Sequence, residues 1–363
     1  MMETKKGHSC PVHSYNEWDP LEEVIIGHLA GAAPPVYHKV LEAVVPPEMV
    51  EVIKQYNEPT WPAELLEEAE KQRQAFIHIL KSEGVVVREP EPMDFTQTHA
   101  TPFWQTHGEC ATCPRDSLLV IGNEIIEAPM SWRSRYFETF PYRPIVKEYF
   151  RRGAKWTAAP KPQLKDAVYN YDYQVPQEGE PMRYVINEEE PLFDAADFMR
   201  FGKDILAVRS NTSNEAGITW LERHLGEEYT IHRVKSKFRQ PMHLDDQLMP
   251  LAPGKLLISP EYIDENELPE FLKSWEILKA PKPDPVDDSF FSAESIGYFW
   301  LNINVLVLDH ERLVVEASQT STIKALKDWG FKPIPCSFMK YADFGGLFHC
   351  ATVDIRRRHS IAY

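Results

Sequence analysis

Four short runs hold the side chains of this sequence best suited to chemistry. They are "CPRDSLL" with Asp116, "FDAADFMRFG" with Asp194 and Asp197, "PMHLDDQL" with Met242, His243, Asp245 and Asp246, and "GGLFHCATVDIRRRHS" with Cys350. On an extended chain side chains alternate, so His243 and Asp245 would share a face and Asp246 would face away. A histidine and a carboxylate on one face can be a base with its orienting partner, or two metal ligands. Alternation also sets His349 opposite Cys350, so the base for a nucleophilic Cys350 is expected at a distance, with His243 the candidate. Gly345-Gly346 permits a tight turn or a close approach to a ligand. Taken singly, each residue has a plainer reading: a turn or cap for each Asp, a structural histidine for His243, a small buried hydrophobe for Cys350. Cys110 and Cys113 form a C-x-x-C near His107, but no second pair stands at zinc-site spacing.

These residues need a scaffold, and the chain is long enough to build one. It has 363 residues, 43% apolar and 26% charged, with 30 prolines that punctuate short segments. Residues 63–82 carry Leu65, Ala69, Phe76 and Leu80 at helical spacing and predict the longest helix. "LEEVIIG", "GVVVREP", "GKLLIS", "LNINVLVLD" and "FKPIPCSF" read as strands, and "DSLLVIGNEIIEAP" as a hairpin turning at Gly122-Asn123. "GITWLERHLG" and "STIKALKDWG" read as helices stopped by Gly226 and Gly330, the second capped by Ser321 or Thr322. Strand and helix alternate without a compositional break, which predicts one α/β domain over residues 1–363, with residues 1–10 flexible. No exact internal repeat is evident, though diverged structural repeats fit the pattern.

A net charge of −16 argues against nucleic acid as a partner, and the Arg356–Arg358 run reads as a solvated or ion-paired strand end. Five cysteines in this length make no disulfide framework and suit a reducing compartment. The N-terminus shows no apolar leader and no window is apolar enough to span a bilayer, so a cytoplasmic protein without a membrane partner is expected.

Taken together, "NEWDPLEEVIIG", "PRD", "GNEIIEAPMSWRSRYFE", "GAKWTAAPKP", "FDAADF", "MHLD", "NVLVLD" and "FHCATVDIRRR" resemble the L-arginine amidinotransferase family, from about residue 10 to the end. The resemblance implies a guanidino-group-modifying fold: a five-bladed, pseudo-symmetric α/β propeller of ββαβ units. It implies Cys350 as nucleophile, His243 as general acid and base, Asp194 as the partner of His243, and Asp116 and Asp245 as the carboxylates that grip a guanidinium. Met242 and Asp197, in the same motifs, join the substrate-binding candidates. No metal or organic cofactor is implied. The partners are a small guanidino donor and a primary amine acceptor, and a homodimer is expected by analogy.

The resemblance breaks at one place. Where arginine-using members carry an arginine for the donor carboxylate, this chain has Tyr262. Two nearby serines correspond to Gly297 and Tyr298. A tyrosine can hydrogen-bond but lacks the positive fork of arginine. Two expectations follow: a donor without an α-carboxylate, such as agmatine, or arginine held by its carboxylate elsewhere. Asp246 is read either as a solvated acid or as a group favouring a cationic acceptor. The nearest alternative chemistry is a deiminase-type guanidine hydrolase of the same superfamily. A catalytically dead binding protein is the alternative from another class.

Overall fold

The computed structural model describes residues 10–286 and 297–358, so the expectation for the first nine residues lies outside it. The predicted long helix is Ala63–Ser82, which buries Ala69, Arg73, Phe76, Ile77 and Leu80. Phe76 meets the rings of Phe338 and Phe348 edge-on, at 5.1 and 4.9 Å between centroids. The helix is thereby packed against the segment that carries Cys350.

Among the described residues, five small sheets share one local plan. A strand turns back into an antiparallel neighbour, which then pairs in parallel with a third strand. Leu118–Ile121, Glu124–Glu127 and Lys155–Ala158 form one such sheet. Phe198–Phe201, Asp204–Val208 and Thr230–Val234 form the next. Then come Leu248–Ala252, Lys255–Ile258 and Glu276–Lys279, and Leu306–Val307, Arg312–Glu316 and Lys332–Cys336. The remaining sheet joins the chain ends: Thr352–Arg357 lies antiparallel to Leu21–Ile26, which pairs in parallel with Val86–Arg88. A parallel third strand needs a crossover. Helices Ala63–Ser82, Arg143–Arg151, Glu215–Leu225 and Thr320–Asp328 supply it in four sheets. Short 3₁₀ turns at Glu265–Glu267 and Glu270–Leu272 do so in the fifth. The central strands Asp204–Val208 and Lys255–Ile258 are apolar after their first residue, as expected where both faces are covered.

The hairpin at Gly122 forms as predicted, with the glycine at φ 61°. Two local expectations fail. "LNINVLVLD" is mostly not strand: Leu301–Ile303 is a 3₁₀ turn, and only Leu306–Val307 pairs. The helix Thr320–Asp328 has Gln319 at its N-cap and no cap from its own residues there. Asp284 accepts from the Ser321 backbone N–H at 2.7 Å instead, a cap from a distant segment that local sequence does not reveal.

The arginine run is structural. Arg357 is buried, donating to Asp354 and to the carbonyls of Asp19 and Val307, while Arg358 pairs with Glu22 at the surface. Asp354 also accepts from Arg115 and Arg200, and Arg200 forks onto Glu17. Removing one member would strand a buried charge, at a cost of about 3–5 kcal/mol.

Candidate active site

One position recurs in all five sheets: the loop entering the first strand. Asp116 precedes Leu118, Asp194 precedes Phe198, Asp245 precedes Leu248, Asn304 precedes Leu306 and Cys350 precedes Thr352. The short segments that enter these strands thus bring their side chains toward one place, Asp194 by way of His243.

That place is the thiol of Cys350, in a residue only 2% exposed. Asn304 Nδ2 donates to Sγ at 3.0 Å, while its Oδ1 accepts the backbone N–H groups of His349 and Cys350 at 3.0 and 3.1 Å. Asp245 Oδ2 lies 3.4 Å from the sulfur. His243 Nε2 is 3.2 Å from Asp194 Oδ2, and its Nδ1 is 3.7 Å from Asp116 Oδ1. Arg135 donates to Asp116 Oδ2 at 2.9 Å and to both oxygens of Glu138, and lies 3.6 Å from Asp194. The two glycines before Cys350 are required by space. A Cβ on Gly346 would lie 2.3 Å from the Cys350 sulfur, and one on Gly345 2.3 Å from that of Cys113.

Alternation does not govern these motifs, because neither is extended. Residues 244–247 form a turn, with Gln247 and Leu248 N–H groups donating to the Leu244 carbonyl. Asp246 therefore does not face away: it lines the cavity with His243, and its Oδ1 accepts from Asn304 at 2.9 Å. His349 and Cys350 also lie in a turn. The His349 ring makes no hydrogen bond to the thiol; it bonds Asp245 at 2.7 Å and Glu17 at 3.2 Å.

The cavity over Cys350 is about 160 Å³ and is walled at its base by Asp116, Met242, His243 and Asp246. The rest of the wall is largely apolar and includes Leu41, Val44, Ile53, Trp61, Phe299 and Phe344. Among the described residues, Arg135 is the one Lys or Arg in the wall.

Five of the expected binding residues are not in the cavity lining; one, Asp245, is fully buried directly beside the sulfur. Asp197 is buried behind the wall, accepting from Ser210 at 2.6 Å and Thr212 at 3.2 Å, and burial pushes its carboxyl up to about 8. Tyr262 stacks on Phe238 at 4.4 Å, and its hydroxyl donates to the Tyr298 carbonyl at 2.5 Å. The Tyr298 hydroxyl donates to Gln240, and Gly297 is exposed with open space around its Cα. An aromatic cluster, its two tyrosine hydroxyls engaged by the Tyr298 carbonyl and by Gln240, thus occupies the region where a carboxylate anchor was expected. Arg135 and Asn304 are the site residues that sequence reasoning missed. Both lie in quoted motif runs, "APMSWRSRYFE" and "NVLVLD", but only the three-dimensional equivalence of the loops singles out Asn304.

The electrostatics of the pocket call for a cation. Burial raises the pKa of Cys350 well above a free thiol, and the charges of Asp245, Asp246 and Asp116 add to it. Burial opposes charge on His243 too, but Asp116, Asp194 and Asp197 outweigh it and hold the imidazole well above its ordinary value. Burial and Asp245 push Asp246 well up, whereas the hydrogen bond from His349 overcomes burial and holds Asp245 low. Asp116 Oδ1, Asp194 Oδ1 and Asp245 Oδ1 are buried with no hydrogen-bond partner. Each such atom costs about 1–3 kcal/mol, against a typical total stability of about 5–15 kcal/mol. Three at one spot mark a site shaped for a ligand. The ligand atoms of Asp116, His243 and Cys350 lie within 4.8 Å of one another, as do those of His243, Asp245 and Asp246. Such sets can ligate a divalent cation. They suit equally a planar organic cation whose N–H groups fork onto carboxylates.

No protein-family model matches the chain. L-arginine:L-lysine amidinotransferase of Pseudomonas savastanoi pv. phaseolicola is 47% identical over 350 residues, covering 96% of this chain and 95% of the relative. Among solved structures, SxtG, an amidinotransferase of the saxitoxin biosynthetic pathway in Microseira wollei, has a TM-score of 0.93 at 52% identity, covering 98% and 99% of the two chains. Inosamine-phosphate amidinotransferase from Streptomyces griseus has a TM-score of 0.86 at 36% identity, covering 97% and 98%. Coverage is near-complete at each of these identities. The chain belongs to the amidinotransferase family, enzymes that move an amidino group from a small guanidino donor to an amine acceptor.

Proposed function

We propose that Cys350 carries the amidino group as a covalent intermediate, in a ping-pong reaction run by His243 and the surrounding carboxylates. The observation that supports this most is the set of unpartnered oxygens beside the sulfur, Asp116 Oδ1 and Asp245 Oδ1. A guanidinium donates to both and holds its central carbon near Sγ. Burial and the nearby carboxylates keep the thiol protonated; the donor's charge offsets them, so donor binding favours the thiolate, with the thiol proton released to solvent. The thiolate adds to the central carbon. His243, oriented by Asp194, enters as imidazolium and gives its proton to the departing amine. The neutral imidazole then takes a proton from the incoming amine, which attacks the amidino carbon and expels the thiolate. The largely apolar wall restricts water, the competing nucleophile. With donor alone, the enzyme is expected to release about one equivalent of amine product in a burst and then stop. Continued turnover without acceptor would instead identify a hydrolase.

The donor is best read as a guanidino compound without an α-carboxylate, such as agmatine. Among the described residues the one Lys or Arg in the cavity wall, Arg135, is engaged by Glu138, Asp116 and Asp194. Tyr262 and Tyr298 are turned into their own cluster. A second reading, arginine with its carboxylate held elsewhere, is favoured by the relative whose name specifies L-arginine. Steady-state rates with both donors separate them: kcat/KM for agmatine is expected to exceed that for arginine by about tenfold or more. A preference for arginine sinks the carboxylate-free reading.

For the whole chain, the recurrence of one sheet plan and the meeting of five equivalent loops support a single domain built as a five-bladed α/β propeller, the site lying at its centre. Among the described residues no helix is long and apolar enough to cross a membrane. Together with five cysteines, none in a disulfide, this supports a cytoplasmic location.

A further inference from the structure

Next to the nucleophile lies a second buried histidine that the reaction does not consume. His349 is 2% exposed and fixed at both ends of its peptide unit. Its N–H donates to Asn304 Oδ1, and its carbonyl accepts from Arg115 Nε at 3.3 Å. The ring spans two carboxylates, with Nδ1 2.7 Å from Asp245 Oδ2 and Nε2 3.2 Å from Glu17 Oε2. Glu17 is tied in turn to Arg200 at 2.6 Å and lies 3.6 Å from Arg115. Ionised carboxylates only accept, so a ring between two of them serves both only with a proton on each nitrogen.

We infer that His349 is a positioning residue. It clamps Oδ2 of Asp245 beside the Cys350 sulfur, leaves Oδ1 for the donor guanidinium, and keeps that carboxylate ionised. Glu17 and its arginines anchor the far side of the ring, so the clamp reaches from the buried charge network to the sulfur. This inference rests on the proposed role of Asp245 in gripping the donor. The charged and titratable groups facing the ring are Glu17, Asp245 and Asp354, with Arg115 and Arg200 behind Glu17 and the Cys350 thiol beside Asp245.

The sign of the pH effect follows. Without the donor from His349, burial acts on Asp245 unopposed by its main stabilising bond, and the carboxylate takes up a proton at higher pH. Donor capture then fails at higher pH as the solution is acidified.

Two replacements separate positioning from bulk. In His349→Asn, the amide nitrogen sits near the place of Nδ1 and can still donate to Asp245; in His349→Gln, it sits near Nε2 and serves Glu17 only. The measurement is the acid limb of kcat/KM for the donor that wild-type enzyme uses, with thermal melting as the check on folding. His349→Gln is expected to move the limb up by about one pH unit or more, and His349→Asn by less than about half a unit. Equal shifts in both, or no shift in either, overturn the inference. If His349→Gln does not fold, His349→Asn alone decides: a shift of about one unit or more overturns it, and a smaller one supports it. Failure of the wild-type enzyme to give a burst with any donor would instead overturn the covalent mechanism, so the two failures are distinguishable.

Discussion

Cys350→Ser is expected to lower amidino transfer by at least about a thousandfold while leaving the fold intact. Serine is close to cysteine in size, and its hydroxyl can keep the contacts to Asn304 and Asp245 that the thiol makes. The loss is chemical. The burial and the carboxylates that hold the thiol protonated would oppose an alkoxide, which starts from a much higher pKa, still more strongly. A bound guanidinium can offset the first and not the second. Initial rates with donor and acceptor, beside a thermal melt, are the measurement. Activity within about tenfold of wild type would remove Cys350 from the chemistry.

The second large effect is expected at His243. His243→Asn should cost about 10²–10⁴-fold in transfer, the usual range for a positioned proton donor and acceptor. A bare rate loss does not show which step fails, so the leaving group is the better probe. A donor whose leaving group needs no proton, such as an S-alkylisothiourea, should restore most of the first half-reaction in the variant. The second half-reaction should stay slow, because the amine acceptor still needs a base. Uniform loss with both kinds of donor would contradict the assignment of His243 as the acid.

Much of this was legible in the sequence, for reasons that can be named. The helix Ala63–Ser82 follows from its apolar spacing, and the turn at Gly122 from a glycine that takes positive φ. The glycines before Cys350 follow from the need for backbone close to a reactive group. Cys350, His243, Asp194 and Asp116 were found by motif and do converge. What failed was the assumption of extended chain around them. The turns at residues 244–247 and around His349 swing side chains by other rules than alternation. Asp246 therefore came into the cavity against expectation, and His349 proved to be separated from the sulfur by one carboxylate. Asn304 was invisible because its importance lies in being equivalent to Asp116 and Cys350 in space, which no single segment states. Tyr262, Gly297 and Tyr298 matched the aligned positions but not the place, since an aromatic cluster draws both tyrosines off the cavity wall.

The central claim is that Cys350 holds the amidino group between the two halves of the reaction. It is tested most directly by intact-protein mass spectrometry after incubation with arginine and, separately, agmatine, in the absence of any acceptor amine. Wild-type protein should gain the mass of one amidino group with the donor it uses, and lose it again when an acceptor is added. Cys350→Ser should gain nothing. A gain on both proteins, or none on wild type with a donor that supports turnover, would contradict the account.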